Sequence, residues 1–223
     1  RFERIAALAY GRLGVPVPSR VVTRTHLRDY FTSKDGGGLA DEIGRTYFSE
    51  NTLPRPAKIE DHPELARPRP ALPQRLNLMA ASRDEGSTLR DINGTCMARY
   101  KVEHEMVSFS LDDDCMLEQL AIILPEVASY ETGLLDFLLR GELTINIADT
   151  VTVTGKDLGQ GTVEVVVEDE RGVRTPLKAL QAGAGELARV SAPQAGTRVL
   201  AVFRGADAAG EPIVAVGAMP LGH

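Results

Sequence analysis

Alternating apolar residues, which begin at about residue 143, limit the fold of the C-terminal part more than any other feature of the sequence. Successive side chains of a strand point to opposite faces, so a period of two predicts half-buried strands. Odd positions are apolar in two successive runs: Leu143, Ile145, Ile147, Val151 and Val153, interrupted at Asp149, then Val163, Val165 and Val167. Later strands are predicted over 189–192, 198–204 and 213–219. Short strands joined by Gly, Pro and Asp turns predict a compact antiparallel β-sandwich over 143–223.

Residues 150–165, TVTVTGKDLGQGTVEV, resemble the strand-turn-strand sequences of immunoglobulin-like modules. This resemblance implies an immunoglobulin-like fold for the C-terminal domain, and it implies no function. The same domain departs from antibody domains because it has no tryptophan and no cysteine, and Phe203 is its one aromatic residue.

The first 142 residues predict both helices and strands, which makes the whole chain α+β. Apolar residues at helical spacing predict one helix over about 1–13, ended by Gly14 and Pro16, and another that starts at Leu39. Asn93-Gly94 suits a type I′ turn, whose two central residues both need positive φ. The expected organisation is therefore a helix-and-strand part over 1–142, followed by the β domain.

A half-buried strand is predicted after this turn, because apolar and polar residues alternate from Cys96 to Met106. The apolar residues then change parity, which indicates a bulge or a bend. Asp112–Asp114 would supply an N-cap and favourable charge for a helix over about 115–124. Pro125 is expected to break or kink that helix before a second one, which ends near residue 140.

Residues 54–73 contain six of the thirteen prolines. Proline has no N–H, and the residue before it disfavours helix, so an extended arm is predicted. Ile59, Leu65 and Leu72 lie between the prolines and give this arm aliphatic side chains that it can bury. We expect the arm to be anchored at these three residues, either on this chain or on a partner.

The net charge of −6 disfavours a general nucleic-acid-binding protein, which would carry a basic excess. Residues 1–28 nevertheless carry a charge of +5, because they contain six arginines and one glutamate. Within this segment, Arg20, Arg24 and Arg28 are predicted to bind an acidic partner or the acidic remainder of the same chain. The alternative is a solvated arginine face on a helix.

Glu103-His104-Glu105 and the Asp112–Asp114 cluster are the residues best suited to bind a divalent ion. On a strand, however, the two glutamates and His104 would face opposite sides, and the cluster lacks the glycine and the spacing of a calcium loop. Cys115 at a helix start could be a nucleophile, although the three preceding aspartates would destabilise its thiolate. Asp35–Gly38 lacks the spacing of a phosphate-binding loop, so a flexible turn is predicted there. No metal and no cofactor are therefore predicted.

The cysteine content and the hydropathy of the sequence indicate the compartment in which the protein is expected. The two cysteines, Cys96 and Cys115, are too few for a disulfide framework, and they are predicted to be free thiols. No apolar run approaches the roughly 20 residues of a membrane span, and no signal peptide is visible. A soluble, cytoplasmic protein is expected.

No residue spacing in the chain identifies a reaction, and the leading hypothesis is a non-enzymatic protein-binding or assembly module. It would bind a protein partner, or a second copy of itself, through its N-terminal helical part, the proline-rich arm or an edge of the β-sandwich. The alternative is an enzyme, or a metal or ligand sensor, with a site assembled around His104 and Asp112–Asp114.

Overall fold

The computed structural model describes residues 2–58, 60, 78–80, 88–91, 93–182 and 186–221. Contacts divide the chain into two units. The first contains the described residues of Arg1–Val21 and Arg28–Glu131, and the second contains those of Val22–Leu27 and Thr132–His223. Helices occur together with two β-sheets, which agrees with the expected mixture of helix and strand. The predicted anchors Ile59, Leu65 and Leu72 lie outside the described residues.

The N-terminal helices end and begin where local sequence signals predict. Helix α1 spans Phe2–Leu13 and stops at Gly14, whose φ of +74° is the left-handed conformation that commonly ends a helix. A short 3-10 helix covers Leu27–Tyr30, and helix α2 covers Leu39–Thr46. Both predicted N-terminal helices are confirmed.

Helix α3 is a single helix over Asp113–Leu138, with Pro125 inside it. The predicted N-cap is confirmed, because the Asp112 carboxylate accepts a hydrogen bond of 2.8 Å from a backbone N–H in the first turn. Of the two predicted effects of Pro125, the break is wrong, and the kink stays a prediction. An internal proline costs about 3 kcal/mol, and the burial of Leu120 before it and Tyr130 after it offsets this cost. None of the described helices is long and apolar enough to cross a bilayer.

The first unit contains a five-stranded sheet. Its strands are β1 (Ala57–Lys58), β2 (Leu78–Ala80), β3 (Thr88–Asp91), β4 (Cys96–Glu103) and β5 (Met106–Ser110), arranged in the order β1-β5-β4-β3-β2. All neighbouring strands are antiparallel. The buried side chains of this sheet include Leu89, Met97, Ala98, Tyr100 and Val107, which form one apolar cluster.

The change of apolar parity after His104 is a hairpin turn and not a bulge or bend within one strand. Glu103 pairs with Met106, and the two residues between them, His104 and Glu105, have φ values of +48° and +64°. Two positive φ values in a two-residue loop define a type I′ turn. At the predicted type I′ turn Asn93-Gly94, Gly94 has a φ of +85°. The φ of Asn93 depends on residue 92, which lies outside the described residues, so that turn stays a prediction.

The second unit contains a seven-stranded sheet in the order β10-β7-β6-β12-β11-β8-β9. Its strands are β6 (Gly141–Ile147), β7 (Thr150–Lys156), β8 (Leu158–Glu168), β9 (Arg174–Ala182), β10 (Glu186–Ser191), β11 (Arg198–Asp207) and β12 (Pro212–Pro220). The pairs are antiparallel except for β6 with β12. The expected immunoglobulin-like sandwich of two sheets is not confirmed, because all seven strands belong to one sheet that nearly closes on itself.

One apolar core fills this barrel-like sheet. It is formed by the inward-facing residues of the strands, with Phe203 fully buried in it. Gly161 and Gly205 lie opposite each other on β8 and β11. A Cβ at Gly161 would lie 2.5 Å from the Phe203 ring, and one at Gly205 would lie 2.7 Å from it. The ring therefore occupies the space that side chains at these two positions would fill.

Candidate functional site

The residues that were considered for a divalent ion do not come together. His104 and Glu105 form the exposed tip of the β4–β5 hairpin, with Glu103 beside them. Asp112 lies at the other end of β5, whose five residues span roughly 15 Å at about 3.3 Å per residue. In the described part of the chain, no group of three or more His, Cys, Asp or Glu side chains is arranged to hold a metal ion.

The aspartate cluster is occupied by structural contacts. Asp112 caps α3 with one carboxylate oxygen, and its other oxygen accepts a hydrogen bond of 2.7 Å from Arg99 Nε. Asp113 accepts one of 2.8 Å from Arg4 Nη2, which ties α1 to the start of α3. These contacts belong to helix capping and packing and leave the cluster no common binding geometry.

Cys96 and Cys115 form a disulfide, so the prediction of two free thiols is wrong. Their Cα atoms are 5.0 Å apart, and both residues are fully buried. The hairpin returns the chain along β4, so that the first turn of α3 lies over Cys96 at the start of that strand. Glu118 accepts the Cys96 N–H at 2.8 Å, and Gln119 donates to the Cys96 carbonyl at 3.1 Å. A bonded cysteine cannot act as the nucleophile considered for Cys115.

In the glycine-rich loop before α2, backbone N–H groups donate hydrogen bonds to side chains of the loop and of the first turn of α2. The N–H of Gly37 donates to Ser33 Oγ at 2.8 Å, and the N–H of Gly38 contacts the Asp41 carboxylate at 3.2 Å. These N–H groups already have acceptors, and Asp35 adds a carboxylate beside them. The loop is a turn, as expected, and it is a poor site for an anion.

The three predicted binding arginines have different surroundings. Arg20 is hydrogen-bonded to Glu126, which raises the pKa of Arg20, and its Nη2 lies 3.5 Å from Glu42 Oε2. Arg20 therefore binds acidic residues of its own chain, which was one of the two expected alternatives. Arg24 is half-buried and belongs to the second unit. Arg28 is exposed, and within the described part of the chain its side chain has no polar partner.

Residues 13–21, here called the strap, begin at the last residue of α1 and expose a row of aliphatic side chains. Leu13, Val15, Val17 and Val21 are 45%, 69%, 74% and 54% exposed. All four occupy odd positions, whereas Val22 is only 7% exposed. Large aliphatic side chains concentrated in one exposed segment are typical of interaction surfaces. The sequence pattern VPVP at residues 15–18 is the signal that marks this segment, although residues 54–73 contain more prolines.

The conformation of the strap is restrained by its prolines and by contacts at its ends. Pro16 and Pro18 have fixed φ, and each holds the preceding valine in an extended conformation. At the C-terminal end, the N–H of Ser19 donates to Ser129 Oγ of α3 at 3.2 Å. The Arg20–Glu126 bond adjoins this contact. The backbone of the strap is therefore restrained, and its valines would lose little backbone conformational entropy on binding.

Comparison of the chain with family models, with curated proteins and with solved structures finds no match.

Proposed function

We propose that this chain is a non-enzymatic protein-binding or assembly module, and that it engages a protein partner through the strap. One observation carries the proposal: Val15, Val17 and Val21 are exposed in a restrained, extended segment, next to the exposed Leu13 at the end of α1. Burial of a valine or leucine side chain contributes roughly 1.5–3 kcal/mol when it is complete. A partner that covered the four side chains would remove the largest part of this exposed apolar area.

The chemistry of the strap defines the kind of partner. Pro16 and Pro18 have no N–H, so the segment is poorly suited to extend a β-sheet, in which backbone N–H groups donate hydrogen bonds to the neighbouring strand. Extended proline-containing segments are bound instead by apolar, often aromatic, grooves that contact the side chains. Because the backbone is already ordered, binding costs less conformational entropy than it would for a free linker. The expected partner therefore presents an apolar groove.

The alternative of an enzyme or sensor around His104 and Asp112–Asp114 has less support. His104 lies at a hairpin tip, and Asp112 lies at the far end of the adjacent strand. The expected cytoplasmic location is not retained in the proposal. A buried disulfide is typical of proteins that fold in an oxidising compartment, since cytosolic thiols are kept reduced.

Site-specific photo-crosslinking tests the proposal. A benzophenone amino acid is placed at Val17 and, in a matched control, at Val173, an exposed valine of the second unit. Each protein is irradiated in an extract of the source cells, and the adducts are identified by mass spectrometry. We expect one major protein adduct at position 17 that is missing at position 173.

The same adduct should be lost when Val15→Asp is added, because a buried carboxylate without a partner opposes docking in an apolar groove. Val21→Thr, which nearly preserves the shape of the side chain, should weaken the adduct less. Identical adducts at positions 17 and 173, or crosslinks that stay within one copy of the chain, would contradict the proposal.

A further inference from the structure

A small cavity opens at one end of the seven-stranded sheet, where β6 and β12 begin and β7 and β11 end. Its volume is about 260 Å³, somewhat below the roughly 300–1,000 Å³ of sites for drug-sized ligands. Its lining residues, all in the second unit, are Arg140, Glu142, Lys156, Asp157, Asp207 and Ile213. Five of these six side chains are ionisable, which is unusual for a cavity of this size.

Two of the charged residues are fully engaged with each other and with the backbone. Arg140 is hydrogen-bonded to Asp207, to the carbonyl of Phe137 and, at 2.9 Å, to the carbonyl of Pro212. Asp207 also accepts the N–H groups of the turn that follows it, at 2.8 and 2.9 Å. This pair forms a fixed wall, and it has little capacity left for a ligand.

The other three charged residues remain available. Within the described part of the chain, the side chains of Glu142, Lys156 and Asp157 have no hydrogen bond or ion pair. Glu142 and Lys156 are direct neighbours across β6 and β7, yet they are not paired. Asp157 forms the corner between β7 and β8 with a φ of +56°, a conformation that costs about 1 kcal/mol or more outside glycine.

The balance of charges selects the ligand. The three available groups are two carboxylates and one ammonium group, so a simple anion at Lys156 would lie near Glu142 and Asp157, and a simple cation at Glu142 would lie near Lys156. A molecule with both charges satisfies both sets of groups. We propose that this cavity binds a small zwitterion of amino-acid size, with its carboxylate at Lys156 and its ammonium group at Glu142 and Asp157. Ile213, which is buried in the cavity floor, accommodates the methylene groups between the two charges.

Titration of the full chain with a matched set of probes tests this proposal. The zwitterions are glycine, β-alanine and γ-aminobutyrate, which differ in the separation of their charges, and the single-charge controls are propionate and propylammonium. Backbone amide NMR shifts at pH 7 are followed. We expect at least one zwitterion to give saturable shifts at residues 142 and 155–158, and we expect neither single-charge control to saturate in the same range.

Variants separate binding in this cavity from general charge effects. Lys156→Met and Glu142→Gln should each lower the affinity for the zwitterion by about tenfold, the effect of losing one charge-assisted hydrogen bond. Lys178→Met, which removes an exposed lysine of β9 in the same unit, should leave the affinity unchanged. If one variant fails to fold, the other still decides. No saturable shift with any zwitterion, equal binding of propionate or of propylammonium, or an equal loss of affinity in Lys178→Met would overturn the proposal.

Discussion

At the scale of single residues, the core of the second unit depends on two missing side chains. Phe203 fills the space next to Gly161 and Gly205, and an added Cβ at either position would approach the ring closer than real Cβ atoms do. The ring is fully buried among neighbours and cannot move far. A phenylalanine fits at position 203 only because positions 161 and 205 are glycines.

We expect Gly161→Ala to destabilise the protein by about 1–3 kcal/mol, the usual cost of overpacking a well-filled core. Gly44→Ala in α2 is the control, since a Cβ there meets nothing within 4 Å and alanine favours helix over glycine by about 1 kcal/mol. Urea unfolding of both variants measures the difference. An unchanged midpoint for Gly161→Ala would mean that Phe203 and the Arg204 carbonyl, each 2.5 Å from the added Cβ, both have room to shift.

Acid should weaken the second unit through Asp207. Its hydrogen bond from Arg140, helped by the N–H groups of Glu211 and Ala209, lowers the pKa of Asp207. A carboxylate whose pKa is lower in the folded protein stabilises the fold above its unfolded pKa of about 3.9. This contribution is lost as the pH falls through the folded value. We therefore expect the free energy of unfolding to decrease below about pH 4–5.

The variant Asp207→Asn should be less stable than the native protein at pH 7, and its stability should vary less with pH between about 5 and 2. Asp136→Asn, which changes an exposed aspartate of α3, should leave the shape of the pH profile unaltered. The comparison is made by thermal unfolding at each pH. Parallel profiles for native protein and Asp207→Asn would show that other carboxylates account for the acid sensitivity.

At the scale of elements, the disulfide joins the start of β4 to the first turn of α3 across 19 positions of sequence. A bridge that closes a loop of this size contributes about 3 kcal/mol through the unfolded chain. The free energy of unfolding of the variant Cys96→Ala/Cys115→Ala should therefore be lower by about that amount, and the variant should unfold at a lower urea concentration. Thiol counting on the native sequence, denatured without reductant, should find no free thiol; two thiols would contradict the bridge.

The β4–β5 turn uses residues that are poorly matched to its backbone. His104 and Glu105 both have positive φ, which asparagine and glycine adopt at lower cost. We expect His104→Asn/Glu105→Gly to stabilise the protein by about 1 kcal/mol or more. Glu103→Gly, one residue earlier in the strand, should destabilise it. A loss of stability in the turn variant would indicate that the two native side chains make contacts needed for folding.

Local signals in the sequence predicted some of these elements and could not predict others. Gly14 and Asp112 act on neighbouring residues, so the end of α1 and the start of α3 were predictable. The turn at His104–Glu105 has no asparagine or glycine to mark it, and it was missed. The disulfide was missed for a different reason, since it requires that the hairpin and α3 are already in place.

At the scale of the whole molecule, the alternating residues after position 143 predicted strands but not how the strands associate. A period of two specifies which side of a strand is buried, and both a sandwich and a nearly closed sheet satisfy that pattern. The site was less predictable still. Exposure of the strap depends on what packs around it, while Arg20, which looked available, is bound to Glu126.

The second unit is discontinuous in sequence, and this leads to a further prediction. Val22 is 7% exposed, the N–H of Leu27 donates to Glu211 at 3.0 Å, and His26 Nδ1 lies 2.7 Å from the same carboxylate. We expect a fragment of residues 132–223 to unfold cooperatively, with a strand-type circular dichroism spectrum. A peptide of residues 20–30 should raise its unfolding temperature, because it binds only the folded fragment.

A scrambled version of that peptide should have no effect, and Glu211→Gln in the fragment should reduce the effect of the native peptide. Equal stabilisation by both peptides would show that residues 22–27 contribute nothing specific. A fragment that is disordered on its own, and stays disordered with the peptide, would instead contradict the separate folding of the β domain.

The shared use of residues 22–27 also has a consequence for biosynthesis. A ribosome adds roughly 5–20 residues per second, so this segment emerges several seconds or more before the first strand of the barrel has been made. During that interval Val22 and Leu27 have no barrel to bind. The second unit is therefore complete only when residues 22–27 pack against strands that are synthesised much later. If another protein bound this segment first, folding of the second unit would be delayed.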